Sequence, residues 1–222
     1  MRKDISAVTF DLDGTLYPNY RFYIRLVPFV LRELRLLIAM GKARDILREE
    51  NPEGSFYDLQ AEVMAKILKK DPGVVKEKTE RLIYRGWEPL FKRIRLFSHV
   101  KETLQALRDS GFKLGLLSDF PPERKAEYLG IAGCWDTIFS SEITNHLKPD
   151  PAPFLELSKR LLVPPDRILY VGNSVSYDII GAKGAGMKTA LVTSRFGNRR
   201  RNTGEADFVF TDYRQLRSYV LG

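Results

Sequence analysis

Near its N-terminus the chain carries the stretch ISAVTFDLDGT, residues 5–15, in which an apolar and β-branched run leads directly into two aspartates. The run Ile5–Phe10 predicts a buried β-strand, because such residues favour strands and a turn signal follows them. Asp11 and Asp13 leave this strand two residues apart, so both carboxylates can point into one site. Like charges that close need a cation, or one of them must hold a proton. A hard divalent ion such as Mg²⁺ is the natural partner of oxygen ligands.

The eighty or so residues after this stretch have a helical pattern. Proline and glycine near residues 52–54 and 72–73 predict the breaks between helices. The predicted helices are Arg21–Met40, Gly41–Glu50, Phe56–Lys70 and Val74–Leu90. We therefore expect a helical insert at residues 16–97, placed directly after the first strand.

From residue 98 onward, strand and helix patterns alternate. Ser98 is expected to cap a helix that ends at Gly111. Asp150 is expected to cap another whose first residue is Pro151. Further strands are predicted at Lys113–Leu117, Thr137–Ser140, Arg167–Val171, Lys188–Val192 and Phe208–Phe210. Such alternation predicts an α/β fold with a Rossmann-like, doubly wound, mostly parallel sheet, made of residues 1–15 and 98–222. Ligands of such sheets bind at the carboxyl ends of the strands, so the helical insert would cover the site as a cap.

Three later groups also come directly after predicted strands. Ser118 ends the strand LGLLS, where its hydroxyl can bind a phosphoryl oxygen. Lys148 precedes a proline, which holds it extended and lets its ammonium be aimed. Asp178 lies in VGNSVSYDIIGAKGAG, after a strand and a tight turn, within reach of a metal shared with Asp11. Each group alone also fits a purely structural role, as a turn serine, an exposed lysine or an acid near a helix start.

In this order, the segments DLDGT, LLSD, KPDP and GNSVSYD resemble the four motifs of the haloacid dehalogenase superfamily. The resemblance implies that Asp11 is a nucleophile that forms an aspartyl-phosphate. It implies that Asp13 is the general acid and then the base, with its main-chain carbonyl on Mg²⁺. The other site residues it implies are Thr15, Ser118, Asp119 and Lys148 for the phosphoryl group, and Asp11, Asn173 and Asp178 for the metal.

The function that this resemblance implies is Mg²⁺-dependent hydrolysis of a small phosphorylated metabolite. Two positions depart from the common pattern of the superfamily. Asn173 stands where an acid is frequent, and Asp119 stands where asparagine is frequent. An amide oxygen can ligate Mg²⁺ but brings no charge, so the role of Asp178 could grow.

Other functions stay open at this point. A phosphomutase of the same superfamily would use the same two aspartates while excluding water. Dehalogenase activity is less expected, because the resemblance would then predict loss of the second acid, and Asp13 is present. A non-catalytic anion-binding protein, or a nucleic-acid-binding protein driven by the positive charge, is the alternative of a different class.

The 222 residues carry a net charge of +8, which favours an anionic partner of some kind. Residues 16–96 hold 17 basic and 11 acidic residues, so most of the excess lies in the insert. Within it, Arg21, Arg25, Arg32 and Arg35 share one helical face. Most simply this is a solvated face, but some of these arginines could bind substrate. The basic cluster at residues 199–201 is expected to be a solvated loop, and Trp87 and Trp135 are expected to pack in the interior.

We expect a cytoplasmic protein without a membrane span. The single cysteine, Cys134, cannot form an internal disulfide, which fits a reducing compartment. No export signal is evident near the N-terminus. The only stretch that resembles a membrane span, residues 22–40, contains three arginines and a glutamate, which a spanning helix does not readily tolerate.

Overall fold

The structure, a computed structural model, describes residues 2–50, 54–193 and 206–222. The basic cluster predicted at residues 199–201 and the helix break predicted at residue 52 lie outside these ranges. None of the helices in these ranges combines the length and the apolar character that a membrane span requires.

A parallel sheet forms the centre of the described chain. Its order is β3-β2-β1-β4-β5-β6, and every neighbouring pair runs parallel. This is the doubly wound order, in which the chain reverses direction across the sheet beside β1. The predicted fold class is therefore confirmed. The strands are β1 (Ala7–Phe10), β2 (Lys113–Ser118), β3 (Thr137–Ser140), β4 (Ile168–Gly172), β5 (Lys188–Val192) and β6 (Phe208–Phe210).

Apolar side chains cover both faces of the sheet. All four residues of β1 are buried, as expected for a central parallel strand. Val8 and Phe10 join one apolar cluster and Ala7 joins the other, because successive side chains of a strand point to opposite faces. The helices that pack on these faces are α4 (Val100–Asp109), α5 (Glu123–Leu129), α6 (Pro151–Leu161), α7 (Ile180–Gly184) and α8 (Tyr213–Leu221).

Between β1 and α4 the described chain is helical. The two ends of this segment meet where the Phe97 amide donates to the Leu16 carbonyl at 2.9 Å. It has an apolar cluster of its own, which includes Leu36, Met64 and Ile83. Its elements are α1 (Asn19–Glu50), α2 (Phe56–Leu68), α3 (Pro72–Thr79), a π-helical turn (Glu80–Tyr84) and a 3₁₀ turn (Glu88–Arg93). The division into a core of residues 1–15 and 98–222 and a cap of residues 16–97 stays a prediction.

Two helix predictions differ from the structure. The predicted helices Arg21–Met40 and Gly41–Glu50 are continuous at their predicted boundary, and α1 is instead interrupted by a kink at Glu33 (φ −123°, ψ 29°), where two helical stretches meet. The predicted helix Val74–Leu90 breaks into α3 and two short turns. The π-helical turn brings the Leu82 carbonyl against Gly86, where a Cβ would lie 2.3 Å from its oxygen. Glycine therefore permits a tight passage that a regular helix would not need.

Of the two predicted N-caps, one is confirmed. The Asp150 carboxylate accepts a hydrogen bond from the Ala152 amide at 2.8 Å, and Pro151 opens α6. The prediction for Ser98 is wrong, since α4 begins at Val100. His99 occupies the cap position in a left-handed conformation, with φ of 66°, and makes no side-chain capping bond.

Candidate functional site

A cavity of about 530 Å³ lies at the carboxyl ends of the central strands, between the sheet and the helical segment. Asp11 and Asp13 reach it from β1, Asp119 from β2, and Asn173 and Asp178 from β4. Parallel strands place their carboxyl ends at one edge of a sheet, so motifs far apart in sequence converge there.

Lys148 joins two of these carboxylates. Its Nζ lies 2.7 Å from Asp11 Oδ1 and 2.7 Å from Asp178 Oδ1, and it also donates to the Tyr170 hydroxyl at 3.3 Å. The side chains of Asp11, Lys148 and Asp178 are almost fully buried. A buried charge is stable only when it is paired and hydrogen-bonded. The ammonium therefore holds Asp11 and Asp178 in one arrangement.

Burial and the charge of the ion-pair partner shift the pKa values of Asp11 and Lys148 in opposite directions. Burial raises the pKa of Asp11 to about 7, although the neighbouring Lys148 lowers it; Asp178 and Asp13 add to the rise. Burial alone would lower the pKa of Lys148, but the carboxylates of Asp11 and Asp178 hold it well above its usual value. Lys148 is therefore a fixed cation beside Asp11.

Asp13 faces the same cavity and has a separate set of partners. Lys125 Nζ lies 2.8 and 3.1 Å from its two carboxylate oxygens, Ser118 Oγ donates to it at 3.0 Å, and the Tyr17 hydroxyl donates to Oδ1. Burial alone would raise the pKa of Asp13, but Lys125 and these donors lower it below its usual value. The pKa values of these two neighbouring carboxylates are thus shifted in opposite directions, because Lys125 and its companion donors stabilise the negative charge of Asp13 while burial disfavours that of Asp11.

Side-chain oxygens of neighbouring residues also lie near the second carboxylate oxygen of Asp11, Oδ2. Thr15 Oγ1 lies 2.7 Å from Asp11 Oδ2 and 3.1 Å from Asn173 Oδ1. Gly14, at φ of +90°, packs so closely here that a Cβ would lie 2.6 Å from Asn173 Nδ2. Within residues 2–50, 54–193 and 206–222, no three Asp, Glu, His or Cys side chains form a metal cluster. The site nevertheless offers hard oxygen ligands, which fit Mg²⁺ when water and phosphate complete its shell. These ligands are the carboxylates of Asp11 and Asp178, the Asn173 amide oxygen and the Asp13 carbonyl.

The loop after β4 depends on a glycine. Asp178 Oδ2 accepts hydrogen bonds from the amides of Asn173 and Ser174, at 3.1 and 3.0 Å. A Cβ on Gly172 would lie 2.3 Å from the Asp178 Cβ. The close approach that aims Asp178 at Lys148 therefore requires glycine at position 172.

Asp119 lines the cavity, but other groups hold both of its carboxylate oxygens. Arg48 Nη2 donates to Oδ2 at 2.9 Å, and Ser141 Oγ and the Lys148 amide donate to Oδ1 at 2.7 and 3.3 Å. Arg48 Nε also donates to the Lys148 carbonyl at 3.1 Å. Asp119 thus binds the main-chain amide of Lys148, and Arg48 binds its main-chain carbonyl. A direct contact between Asp119 and phosphate stays a prediction.

Aromatic and aliphatic side chains form an apolar wall of the cavity. Phe22 packs edge-on against Trp87, with ring centroids 5.5 Å apart, and Trp87 lies 6.3 Å from Phe120. Trp87, expected only to pack, also lines the cavity. This apolar wall consists of Phe22, Tyr23, Leu26, Ile83, Tyr84, Trp87, Phe120, Pro121 and Tyr177.

The structure brings Asp11, Asp13, Thr15, Ser118, Asp119, Lys148, Asn173 and Asp178 together, as the sequence motifs predict. The motifs do not reveal the cations Arg48 and Lys125, because both lie on helices outside every motif. Tyr17 is also absent from the predicted site, although its position four residues after Asp13 is a signal that could have identified it. The four arginines of α1, at positions 21, 25, 32 and 35, do not line the cavity.

The chain is similar in sequence to known hydrolases. Residues 5–186 match the family model of haloacid dehalogenase-like hydrolases. A phosphoglycolate phosphatase of Shigella sonnei is 30% identical, over 92% of this chain and 85% of its own length. A glyceraldehyde 3-phosphate phosphatase of Methanothermobacter thermautotrophicus is 29% identical, over 97% of this chain and all of its own.

Among solved structures, a HAD phosphatase from Thermococcus onnurineus is 24% identical with a TM-score of 0.64, and the match covers 97% of this chain and 98% of that one. A 2-haloacid dehalogenase from Pseudomonas syringae is 25% identical with a TM-score of 0.66, and 98% of each chain is covered. These structures share the fold described above.

Proposed function

The chain belongs to the haloacid dehalogenase-like hydrolases, and from this premise we propose that it is a Mg²⁺-dependent phosphatase that hydrolyses a small phosphorylated metabolite through an aspartyl-phosphate. The observation that carries the proposal is the pairing of two carboxylates in one cavity. Asp11 is fixed by Lys148, and Asp13 is fixed by Lys125, Ser118 and Tyr17. The phosphatase names of two relatives support the same reaction class.

In the first step Asp11 acts as the nucleophile. One of its oxygens bonds to phosphorus while the bond from phosphorus to the alcohol oxygen breaks. Asp13 gives that oxygen a proton, so the alcohol leaves neutral. The negative charge of the incoming phosphate favours the protonated form of Asp13. A covalent intermediate divides one difficult displacement into two easier ones.

In the second step Asp13 acts as the base. It takes a proton from water, whose oxygen bonds to phosphorus as the bond to Asp11 breaks. Inorganic phosphate leaves, Asp11 is free again, and Asp13 holds the proton needed for the next cycle. Lys125 and Ser118 keep the Asp13 carboxylate in one place through both steps.

The remaining residues supply charge and positioning. Lys148 offsets the negative charge of Asp11 and of the phosphoryl group, which is the main requirement of phosphoryl transfer. Asp11, Asp178, Asn173 and the Asp13 carbonyl would hold Mg²⁺. When bound, the metal would neutralise phosphate charge and orient the phosphoryl group.

Substitution of the nucleophile tests the proposal. We expect Asp11→Asn to reduce Mg²⁺-dependent hydrolysis of p-nitrophenyl phosphate by at least about a thousandfold, since the amide cannot form the phosphoenzyme. Asp109→Asn, an exposed aspartate of α4, is the matched control and should keep wild-type activity. Circular dichroism and thermal melting of both variants check the fold. Activity retained by Asp11→Asn would exclude Asp11 as the nucleophile.

A second measurement separates a phosphatase from a phosphomutase. A phosphatase releases one inorganic phosphate for each alcohol formed, whereas a mutase returns the phosphoryl group to a sugar phosphate. We expect equal amounts of phosphate and alcohol throughout the reaction.

A further inference from the structure

The apolar wall of the cavity bears on the identity of the substrate. Building on the proposed phosphatase function, we propose that the substrate is a phosphate monoester whose alcohol carries a flat, uncharged ring, in preference to an alcohol that carries a carboxylate. The aromatic wall and the pairing of the cavity's charged groups support this substrate class independently of each other.

The apolar wall of the cavity is suited to a ring. The rings of Phe22, Trp87 and Phe120 lie edge to face or tilted to one another, 5.5 and 6.3 Å between centroids. Leu26 and Ile83, both buried, also line the cavity. Aromatic surfaces of this kind favour another ring, through both its area and its edge-to-face geometry. A cavity of about 530 Å³ also has room for a ring beside the phosphoryl group.

The cations of the cavity already have partners. Among the described residues that line it, the cations are Arg48, Lys125 and Lys148. Each faces a carboxylate: Asp119 for Arg48, Asp13 for Lys125, and Asp11 with Asp178 for Lys148. Every described cation of the cavity is therefore already paired with a carboxylate. A carboxylate on the leaving alcohol would have to compete with these pairs for a cation.

Glu88 strengthens this conclusion. It lines the cavity next to Trp87, on the side of the apolar wall. Glu88 adds a further carboxylate to the lining, so a carboxylate on the substrate would meet additional negative charge there. A neutral ring meets no such cost.

Two substrates that share the unit phosphate–O–CH₂ test the proposal. In benzyl phosphate this unit carries a phenyl ring, and in phosphoglycolate it carries a carboxylate. We expect kcat/KM for benzyl phosphate to exceed that for phosphoglycolate by at least about tenfold, a discrimination typical of apolar pockets. Equal values, or preference for phosphoglycolate, would overturn the proposed substrate class.

Variants of one tryptophan link the preference to the wall. Trp87→Leu should lower the ratio of the two kcat/KM values about tenfold, whereas Trp87→Phe should keep it within about threefold, because phenylalanine retains a flat ring. Trp135→Leu is the matched control: this tryptophan packs against Phe10 outside the cavity, and its indole nitrogen, like that of Trp87, is buried without a hydrogen-bond partner. An identical ratio in Trp87→Leu and Trp135→Leu would contradict the proposal.

Trp87→Leu could be lost to misfolding, so Tyr23→Ala provides a second test. Tyr23 lines the cavity but is 59% exposed, so its truncation leaves the interior packed. We expect it to lower the same ratio by at least about threefold, since part of the aromatic surface is removed. An unchanged ratio would count against the ring-binding wall.

Acetyl phosphate distinguishes failure of this inference from failure of the proposed function. It has neither ring nor carboxylate, and its hydrolysis reports only the chemistry at Asp11. Hydrolysis of acetyl phosphate that depends on Asp11, with no preference for benzyl phosphate, would refute the substrate class alone. Absence of enzymatic hydrolysis for all three compounds would refute the phosphatase function itself.

Discussion

At the scale of single residues, Asp13 shows how a neighbouring cation can set the pKa of a carboxylate that is proposed to act as acid and base. Its carboxylate is only partly buried, and Lys125 bonds to both of its oxygens. Lys125 itself lies against the rings of Phe91 and Phe120, 5.2 and 5.4 Å from their centroids. Aromatic faces and the carboxylate together hold the ammonium in place. Its expected role is therefore to position Asp13 and to keep the pKa of Asp13 low.

We expect Lys125→Met to lower kcat by about tenfold, a part of the effect that a general acid or base supplies. Loss of the neighbouring cation disfavours the ionised form of Asp13 and so raises its pKa. The acidic limb of the pH profile for hydrolysis of the phosphoenzyme, the step in which Asp13 acts as the base, should therefore move to higher pH. Lys125→Arg should restore most of the activity, because it keeps the positive charge.

Lys159→Met is the control for this prediction. Lys159 lies in α6 with its side chain 82% exposed, so the variant also removes one positive charge, but far from Asp13. It should leave the pH profile unchanged. A Lys125→Met enzyme whose acidic limb does not move would show that the lysine has only a structural role.

At the scale of elements, a buried ion pair connects the helical segment to the sheet. Arg44 of α1 pairs with Glu142, which lies just after β3, and both side chains are almost fully buried. The hydroxyls of Tyr57 and Tyr84 donate to Glu142 at 3.1 and 2.7 Å. Arg44 Nη2 also donates to the Asp119 carbonyl at 2.6 Å. This network fixes the helical segment beside the loop that holds Lys148.

We expect Glu142→Gln to lower the free energy of unfolding by about 3 kcal/mol, because it leaves a buried guanidinium without its counter-charge. Arg44→Met should have a cost of similar size. The double variant Arg44→Met/Glu142→Gln should cost clearly less than the sum of the two, since no unpaired charge remains. Urea denaturation measures all three values.

The exposed pair of Lys76 and Asp58 is the matched control in the same helical segment. Both side chains are about half exposed. Asp58→Asn should therefore change the free energy of unfolding by less than about 1 kcal/mol, as surface ion pairs usually do. Equal effects of Asp58→Asn and Glu142→Gln would mean that the buried network adds nothing to stability.

The elements of the sheet are easier to predict from the sequence than those of the helical segment. Each strand is a short apolar run bounded by turn residues, and the four motifs come after strand ends, so both the fold and the convergence of Asp11, Lys148 and Asp178 could be inferred. Contacts that depend on the packing of elements far apart in the chain could not be inferred from the sequence. Lys125 carries no local signal, and Arg44 meets Glu142 across 98 residues. The sequence also does not reveal the π-helical turn Glu80–Tyr84, which is followed by a close approach of Gly86 to the Leu82 carbonyl.

At the scale of the whole molecule, the net charge of the protein is positive, whereas the side chains that line the cavity are in excess acidic. The protein carries +8, yet the described residues that line the cavity comprise five carboxylates and three cations. The carboxylates are Asp11, Asp13, Glu88, Asp119 and Asp178, and the cations are Arg48, Lys125 and Lys148. A phosphate dianion entering this space is repelled unless a further cation is present. The basic surface can attract an anion, and the Mg²⁺ proposed to bind in the cavity would supply the further positive charge.

Removal of the metal tests this charge balance. We expect dialysis against EDTA to abolish hydrolysis and added Mg²⁺ to restore it, while circular dichroism stays unchanged because the apolar clusters involve no metal ligand. Calorimetry should show that inorganic phosphate binds at least about tenfold more tightly with Mg²⁺, and by linkage that phosphate tightens Mg²⁺ binding by the same factor. Dialysis against EDTA already saturated with Mg²⁺ is the control. Phosphate affinity independent of Mg²⁺, together with full activity after EDTA treatment, would mean that Lys148 and Lys125 alone neutralise the substrate.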